Sequence, residues 1–191
     1  QIAGLVTFHG PMAASDMIRN FSSFSKEHLF KAIMDNEALG EIVNPEGEEI
    51  ISINGGIAEG PIIGGNLSLI ADTIGTPYEI DVKGKILFIE EVEEEPYRID
   101  RMLNQLRLAG KLNDAAGIIL GDFSKCDARK PNESLSLEEV IDDYFKALDK
   151  PIIYNLQAGH CEPMVTIPFG VRARLDADKK ELIILENATD K

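Results

Sequence analysis

The fold class follows from the segment KILFIEEVEEEPYRIDRMLNQLRLAGKLNDAAGIILGD, residues 85–122 of the chain. The run Ile-Leu-Phe-Ile at 86–89 is short, apolar and preceded by a turn, which predicts a buried strand. Pro96 is typical of the first position of a helix, and apolar residues at helical spacing continue from it towards a glycine end at Gly110. The run Gly-Ile-Ile-Leu at 117–120 predicts the next buried strand.

The pattern continues towards the C-terminus. Ser136 and Glu139 form a capping box ahead of an amphipathic helix, Pro151 ends it, and residues 152–154 predict a third strand. Strand, helix, strand, helix, strand with continuous apolar strands predicts a parallel βαβαβ core, and therefore an α/β fold. Runs at 171–175 and 182–185 flank a polar turn and predict a closing antiparallel hairpin.

The first third of the chain has a different character. Residues 2–8 predict a buried strand, and Ser25 is expected to cap the helix that follows. Residues 41–64 are rich in Gly, Pro and Glu, and Asn54-Gly55-Gly56 between two short runs predicts a hairpin within a linker or domain crossover. Because the chain opens at Gln1 inside a predicted core strand, we interpret it as a fragment.

Composition excludes several classes of partner. Apolar residues make up 44% and charged residues 27% of the 191, the balance of a globular domain. No run approaches the ~20 apolar residues of a membrane helix, so no membrane partner is expected. The net charge of −14 repels nucleic-acid phosphates, so no nucleic acid is expected. Cys126 and Cys161 form no disulfide framework and fit a reducing compartment.

Three polar side chains are expected at the carboxyl ends of the parallel strands, where α/β sheets bind ligands. Glu90 follows the first strand, Asp122 follows the second, and His160 follows the third after a Gly159 turn. An acid and a histidine that meet there can act as a catalytic pair, because the ring shuttles a proton near neutral pH and the carboxylate fixes its tautomer. Spacing alone leaves open that His160 is a structural or surface residue.

Other polar features have plainer interpretations. Five of the six residues at 90–95 are Glu, and all of them except Glu90 are interpreted as a solvated acidic turn ahead of the next helix. His160-Cys161 and Cys126 lack the paired spacing of a structural zinc site, so no metal is expected. His9 is either functional or a structural residue at a strand end.

Eight motifs occur in order along nearly the whole chain. They are TFHGPM (7–12), GNLSLI (65–70), GTPY (75–78), GKILFIEEV (84–92), PYRIDRML (96–103), GDF (121–123), GH (159–160) and IPFG (167–170). Each motif alone is weak, but together they resemble the LD-carboxypeptidase family of serine peptidases, in its C-terminal portion.

The resemblance implies a Ser-His-Glu triad in a cleft between two domains, with Glu90 as the acid and His160 as the general base. It also implies that Asn66 lies near the cleft as a substrate contact. Two positions depart from the family pattern: Glu91 replaces an Asp, and Glu93 replaces a usual Gly. Neither change touches Glu90.

The family's nucleophilic serine lies on a Gly-x-Ser-Asp elbow upstream of the His-Gly-Pro motif, and no such elbow occurs in these 191 residues. Ser15-Asp16 follows two alanines and comes after that motif, so we interpret it as a helix cap or loop. The resemblance therefore implies a swivelling-type C-terminal domain at 65–191, a linker at 41–64, and a remnant of an α/β nucleophile domain at 1–40. Such a fragment should expose core surface along residues 1–38 and should be close to inactive alone.

The resemblance also implies a substrate. The family's usual substrate is a murein tetrapeptide, cut before its terminal D-Ala during cytoplasmic wall recycling, and no cofactor is expected. Some relatives are immunity peptidases that act on microcin C-type conjugates, and nothing in the sequence separates the two activities. A non-catalytic binding module is the alternative of another class. Members of the family often form homodimers, although no sequence feature here fixes the oligomeric state.

Overall fold

The computed structural model describes residues 3–189. The strands are β1 (Thr7–His9), β2 (Gly40–Ile42), β3 (Ile51–Asn54), β4 (Ile57–Asn66), β5 (Ile86–Val92), β6 (Gly117–Ser124), β7 (Ile152–Tyr154), β8 (Ile167–Phe169), β9 (Arg172–Asp176) and β10 (Glu181–Ile184). The helices are α1 (Asp16–Arg19), α2 (Ser23–Met34), α3 (Leu67–Thr73), α4 (Pro96–Leu108), α5 (Lys111–Asp114) and α6 (Leu137–Phe145), with a 3-10 turn at Pro131–Glu133.

An eight-stranded mixed sheet forms the centre of the described structure, in the order β2-β10-β9-β4-β5-β6-β7-β3. The four central strands from β4 to β7 are parallel, whereas β9, β10, β2 and β3 join the sheet in antiparallel pairs. A separate antiparallel pair joins β1 to β8. The predicted α/β class is confirmed, as are the parallel βαβαβ core of β5, α4, β6, α6 and β7 and the antiparallel hairpin of β9 and β10.

The central strands are apolar on both faces because both faces are covered. Along β5, Leu87 and Ile89 pack into a core shared with α3, α4 and α6. The alternate residues, Ile86 and Phe88, pack into a second core on the opposite face, which includes residues of α2, β8 and β9. All four side chains are fully buried. This two-sided burial is what makes a parallel strand a continuous apolar run in the sequence.

The helices begin largely as their sequences predict, but α6 ends at Phe145, six residues before the predicted end at Pro151. Pro96 occupies the first turn of α4, and Gly110 adopts a left-handed φ of 77° just beyond the helix. Ser136 and Glu139 form the predicted capping box of α6. The prediction for α2 is wrong by one turn: Ser22 is the N-cap, and its hydroxyl oxygen accepts a hydrogen bond from the Ser25 N–H at 3.2 Å.

Two strand predictions in the first third of the chain are corrected. The N-terminal strand starts only at Thr7, and the Leu5 side chain before it is 71% exposed; Ile2 lies outside the described residues. The predicted hairpin at Asn54 is absent, because β3 pairs with β7 whereas β4 pairs with β5 and β9. Residues 40–66 therefore supply three strands of the sheet, and the division at residues 40 and 64 stays a prediction. Across residues 3–189, no helix is both long and apolar enough to cross a membrane.

Candidate active site

Glu90 and His160, predicted as a pair, lie in direct contact. Glu90 is fully buried near the end of β5, and its Oε2 lies 2.8 Å from Nδ1 of His160. His160 lies in the loop after β7, and its side chain is 35% exposed. When Nδ1 donates its proton to the carboxylate, Nε2 is left with a free lone pair that can accept a proton. The geometry is therefore that of a general base held by an acid.

The close approach of the two residues depends on Gly159. This glycine has a φ of 140°, which residues with a side chain rarely adopt. A Cβ built on it would lie 2.9 Å from Oε2 of Glu90 and 3.1 Å from its Cβ. The absence of a side chain at position 159 thus lets the His160 loop pass directly over the carboxylate.

Burial dominates the electrostatics of Glu90. Loss of solvent raises the pKa of this carboxyl above its usual value, while the hydrogen bond and charge of His160 and the nearby Asn66 amide oppose the rise. Its Oε1 atom has no hydrogen-bond partner among the described residues. A buried carboxylate with an unpartnered oxygen is costly for folding, and such groups are common at functional sites.

Asn66 and Glu91 form a second polar pair beside Glu90. Asn66 ends β4 directly opposite Glu90 in the parallel ladder. Its side chain caps α3, with Oδ1 accepting from the Leu69 N–H at 3.3 Å and Nδ2 donating to Oε1 of Glu91 at 2.7 Å. The other oxygen of Glu91 accepts from the N–H and hydroxyl of Ser68, at 2.9 and 2.6 Å.

The interpretation of Glu91 as part of a solvated turn is wrong, because Glu91 is only 2% exposed. It belongs to β5, which extends to Val92, and not to the turn after the strand. The interpretation holds for Glu93, which is 65% exposed and pairs with Lys125. The run of five glutamates concealed the difference, since an acidic residue at a strand end has the same composition signal as one in a loop.

Asp122 lies close to this pair but does not hold the imidazole. It is part of β6, and its carboxylate accepts a short hydrogen bond from the Ser124 hydroxyl, which also lies 3.4 Å from the backbone carbonyl of His160. Burial raises the pKa of the Asp122 carboxyl. Of the two predicted carboxylates, Glu90 therefore contacts the ring, whereas Asp122 binds the Ser124 hydroxyl and supports the loop through its own N–H, which donates to the Ala158 carbonyl at 2.9 Å.

His9 lies in β1 behind the pair. Its ring centroid is 5.2 Å from that of Phe88 and 5.7 Å from that of Phe169. Burial, helped by the positive charge that His160 can carry, lowers the pKa of His9 to about 4. Its ring is therefore neutral at physiological pH, and Nε2 has no hydrogen-bond partner among the described residues. The His9 ring is held by packing against the rings of Phe88 and Phe169.

The remaining candidates are Ser15 and the two cysteines. Ser15 precedes α1, and its hydroxyl donates to the Asp16 carboxylate at 3.0 Å. Cys126 and Cys161 are free thiols, and burial raises their pKa to about 11 and about 12. Across residues 3–189, no three His, Cys, Asp or Glu side chains are grouped closely enough to hold a metal ion.

Comparison with known proteins identifies similar chains. A family model described as the LD-carboxypeptidase C-terminal domain matches residues 59–175. A Bacillus subtilis protein named probable murein peptide carboxypeptidase is 44% identical over 186 residues, which is 96% of this chain and 57% of that protein. The microcin C7 self-immunity protein MccF of Escherichia coli is 32% identical over 136 residues, covering 69% of this chain and 38% of that protein.

A solved structure agrees with these similarities. The crystal structure of muramoyltetrapeptide carboxypeptidase from Oxalobacter formigenes superposes with a TM-score of 0.81 at 31% identity, covering 96% of this chain and 63% of that one. The chain thus spans 57% and 63% of the length of the two relatives that match 96% of its own residues.

Proposed function

Because the chain belongs to the LD-carboxypeptidase family, we propose that it supplies the histidine and the acid of a serine-type carboxypeptidase. The proposed reaction removes the terminal D-Ala of a murein tetrapeptide by cleaving an L,D-peptide bond. The observation that carries the proposal is the 2.8 Å contact between Nδ1 of His160 and the fully buried carboxylate of Glu90.

In the proposed mechanism, Nε2 of His160 takes the proton of a serine hydroxyl as the oxygen attacks the scissile carbonyl carbon. The same nitrogen then gives the proton to the leaving amine of D-Ala, and water completes the cycle by hydrolysing the acyl-serine. Glu90 holds the ring with its proton on Nδ1 and stabilises the imidazolium that forms. The serine and the oxyanion donors are proposed to lie outside these 191 residues, so this chain alone is expected to be inactive.

One feature of the described residues supports a division between two domains. Apolar side chains are exposed along the first segment, among them Ile18 at 76% and Met34 at 67%. Burial of such surface against a preceding domain would remove it from water. Asn66 is proposed as a substrate contact, because it ends β4 directly opposite Glu90, at the carboxyl end of the parallel strands where α/β sheets bind ligands. A cytoplasmic location and a homodimer are part of the same proposal.

A second candidate reaction is cleavage of microcin C-type conjugates. The similarity to the self-immunity protein MccF favours it, because that similarity covers 69% of the chain. Both reactions use the same Glu90–His160 pair and differ only in the group next to the scissile bond. The alternative of another class is a binding module that retains the pair without catalysis.

The proposal is tested by measuring D-Ala release from murein tetrapeptide. The chain alone is compared with an extended chain, in which a nucleophile segment from the Bacillus subtilis relative precedes residue 1. His160→Ala is made in the extended chain, and His28→Ala on α2 is the matched control because it removes an imidazole outside the pair. We expect release by the extended chain and by the His28 variant only.

Each other outcome has a defined meaning. Equal activity of the isolated chain would show that the nucleophile lies within it and would refute the division of the triad. An extended chain that cleaves only a peptidyl-nucleotide conjugate would favour the immunity reaction. An extended chain that folds and cleaves neither substrate would favour the binding module.

A further inference from the structure

The loop that carries His160 is tied to the N-terminus of α2 by a partly buried carboxylate. Oε1 of Glu162 accepts a hydrogen bond from the Ser22 N–H at 2.9 Å and from the Ser25 hydroxyl at 3.0 Å. Ser22 is the N-cap of this 12-residue helix. The first turn of a helix presents unpaired N–H groups and a partial positive charge, which stabilise a carboxylate at that position.

Ser25 completes this link from the other side. Its side chain is fully buried, and its hydroxyl oxygen accepts a hydrogen bond from the Met164 N–H at 2.9 Å while its proton goes to Glu162. A single hydroxyl thus holds both a side chain and the backbone of the segment that follows His160. We call Ser22, Ser25 and Glu162, with the Met164 N–H, the α2 clamp.

The loop is also fixed on its other side. The Asp122 N–H in β6 donates to the carbonyl of Ala158 at 2.9 Å. Residues 159–163 therefore span two fixed points, one on the central sheet and the other on α2. The hydrogen bond between His160 and Glu90 needs a defined ring position, because hydrogen bonds weaken steeply with distance and misalignment.

Stability alone is a poor explanation for the clamp. The second carboxylate oxygen of Glu162, Oε2, is buried and has no hydrogen-bond partner among the described residues. An unpartnered buried oxygen is unfavourable for folding, because the loss of its hydration is not offset by a hydrogen bond. An apolar residue would avoid that cost but could not accept the hydrogen bonds of Ser22 and Ser25, so the polar side chain is better explained by what it holds in place.

We propose that Glu162 and Ser25 are positioning residues that hold the imidazole of His160 against Glu90. The proposal deepens the proposed function and rests on it for its catalytic consequence. The α2 clamp also connects α2, which lies in the segment interpreted as a remnant of the nucleophile domain, to the loop that carries the proposed general base, His160. Docking of a nucleophile domain on that segment would therefore bear directly on the position of His160.

The tautomer of His160 provides the direct test. The chain has three histidines, so ¹⁵N spectra of its imidazoles can be assigned completely. With the ring neutral, the native chain should show His160 protonated on Nδ1 alone. Glu162→Ala and Ser25→Ala should give a mixture of the two tautomers. Glu162→Gln should restore the native spectrum, because its amide oxygen can still accept both hydrogen bonds.

Ser136→Ala is the matched control, because it removes a capping hydroxyl from α6 and leaves the loop untouched. It should keep the native tautomer despite a loss of stability, which separates positioning from a general structural effect. In the extended chain, Glu162→Ala should lower kcat about 10- to 100-fold, the order expected for a misplacement near 1 Å, with KM changed less than twofold.

Native ¹⁵N shifts of His160 in both alanine variants would overturn the proposal. If Glu162→Ala does not fold, Ser25→Ala carries the same test. Failure of the proposed function would be distinguishable, since a native His160 that is already a tautomer mixture refutes the Glu90 pairing itself. A displaced tautomer in the variants together with an inactive extended chain would support the clamp and refute the peptidase.

Discussion

Gly64→Ala should destabilise the fold far more than Gly65→Ala, although the two glycines are neighbours in β4. Their φ angles are 147° and 142°, a region in which a side chain costs about 1–3 kcal/mol. A Cβ on Gly65 would meet nothing within 4 Å. A Cβ on Gly64 would overlap the carbonyl oxygen of Phe88 and lie 2.7 Å from its carbonyl carbon and 2.8 Å from its nitrogen.

The clash at Gly64 involves the backbone of the neighbouring strand, which has little freedom to move. Gly64 is paired with Phe88 in the parallel β4–β5 ladder. Relief of the overlap would separate the strands locally, at about 1 kcal/mol for each ladder hydrogen bond lost and about 1–3 kcal/mol for each buried group left unpartnered. We therefore expect a loss of about 4–6 kcal/mol for Gly64→Ala and about 1–3 kcal/mol for Gly65→Ala.

Urea unfolding followed by far-UV circular dichroism measures the difference. Both variants should keep the native m-value, and the midpoint of Gly64→Ala should fall well below that of Gly65→Ala. A domain of ordinary stability has only about 5–15 kcal/mol, so Gly64→Ala should remove between about a quarter and all of it. Equal losses within about 0.5 kcal/mol would refute the steric reasoning, because the two positions share the same φ cost.

Three further results are expected. The pKa of His9 falls from 6.5 to about 4 on burial, so the free energy of unfolding should decrease by about 3 kcal/mol as the pH drops through that window. His9→Phe should remove this decrease, and parallel profiles of unfolding free energy against pH for the variant and the native chain would contradict the reasoning. Lys150 donates to three backbone carbonyls at 2.6–2.8 Å, so Lys150→Met should lower the free energy of unfolding in urea by about 2–3 kcal/mol. Lys146 is in an exposed ion pair, so Lys146→Met should lower it by under about 0.5 kcal/mol, and equal losses would contradict this. Burial raises the pKa of Cys161 to about 12, so iodoacetamide at pH 8 should alkylate it at least about tenfold faster after unfolding, and equal rates would show that it is accessible.

The sequence predicted the part of the fold in which local and global signals agree. The runs at 86–89 and 117–120 are apolar because both faces of their strands are buried, and Ser136 with Glu139 marks a helix start whatever packs around it. The run that forms β4 was predicted as part of a hairpin within a linker, because its Gly60, Pro61 and Gly64 are typical of a loop. A glycine is required at position 64 because β4 passes close to the backbone of β5 there. The sequence does not show this requirement, because it depends on which strands pair.

The candidate site could likewise be predicted only in part. Glu90 and His160 could be predicted, because the ends of parallel strands meet at one edge of a sheet and motif resemblance selected the same two residues. The burial of Glu91 was not predicted, because a run of glutamates does not indicate which of them lies at the buried end of a strand. The α2 clamp was missed because Ser25 and Glu162 are 137 residues apart, and no periodic pattern links positions on separate elements.

The most direct test of the proposed pair is a double-mutant cycle in the extended chain. D-Ala release is measured for Glu90→Gln, His160→Ala and the double variant. Residues that act as one catalytic unit have strongly non-additive effects. The pair described above predicts a double variant no slower than His160→Ala, within about threefold. Independent losses that multiply in the double variant would contradict it, because Glu90 would then act on the reaction by some route other than His160.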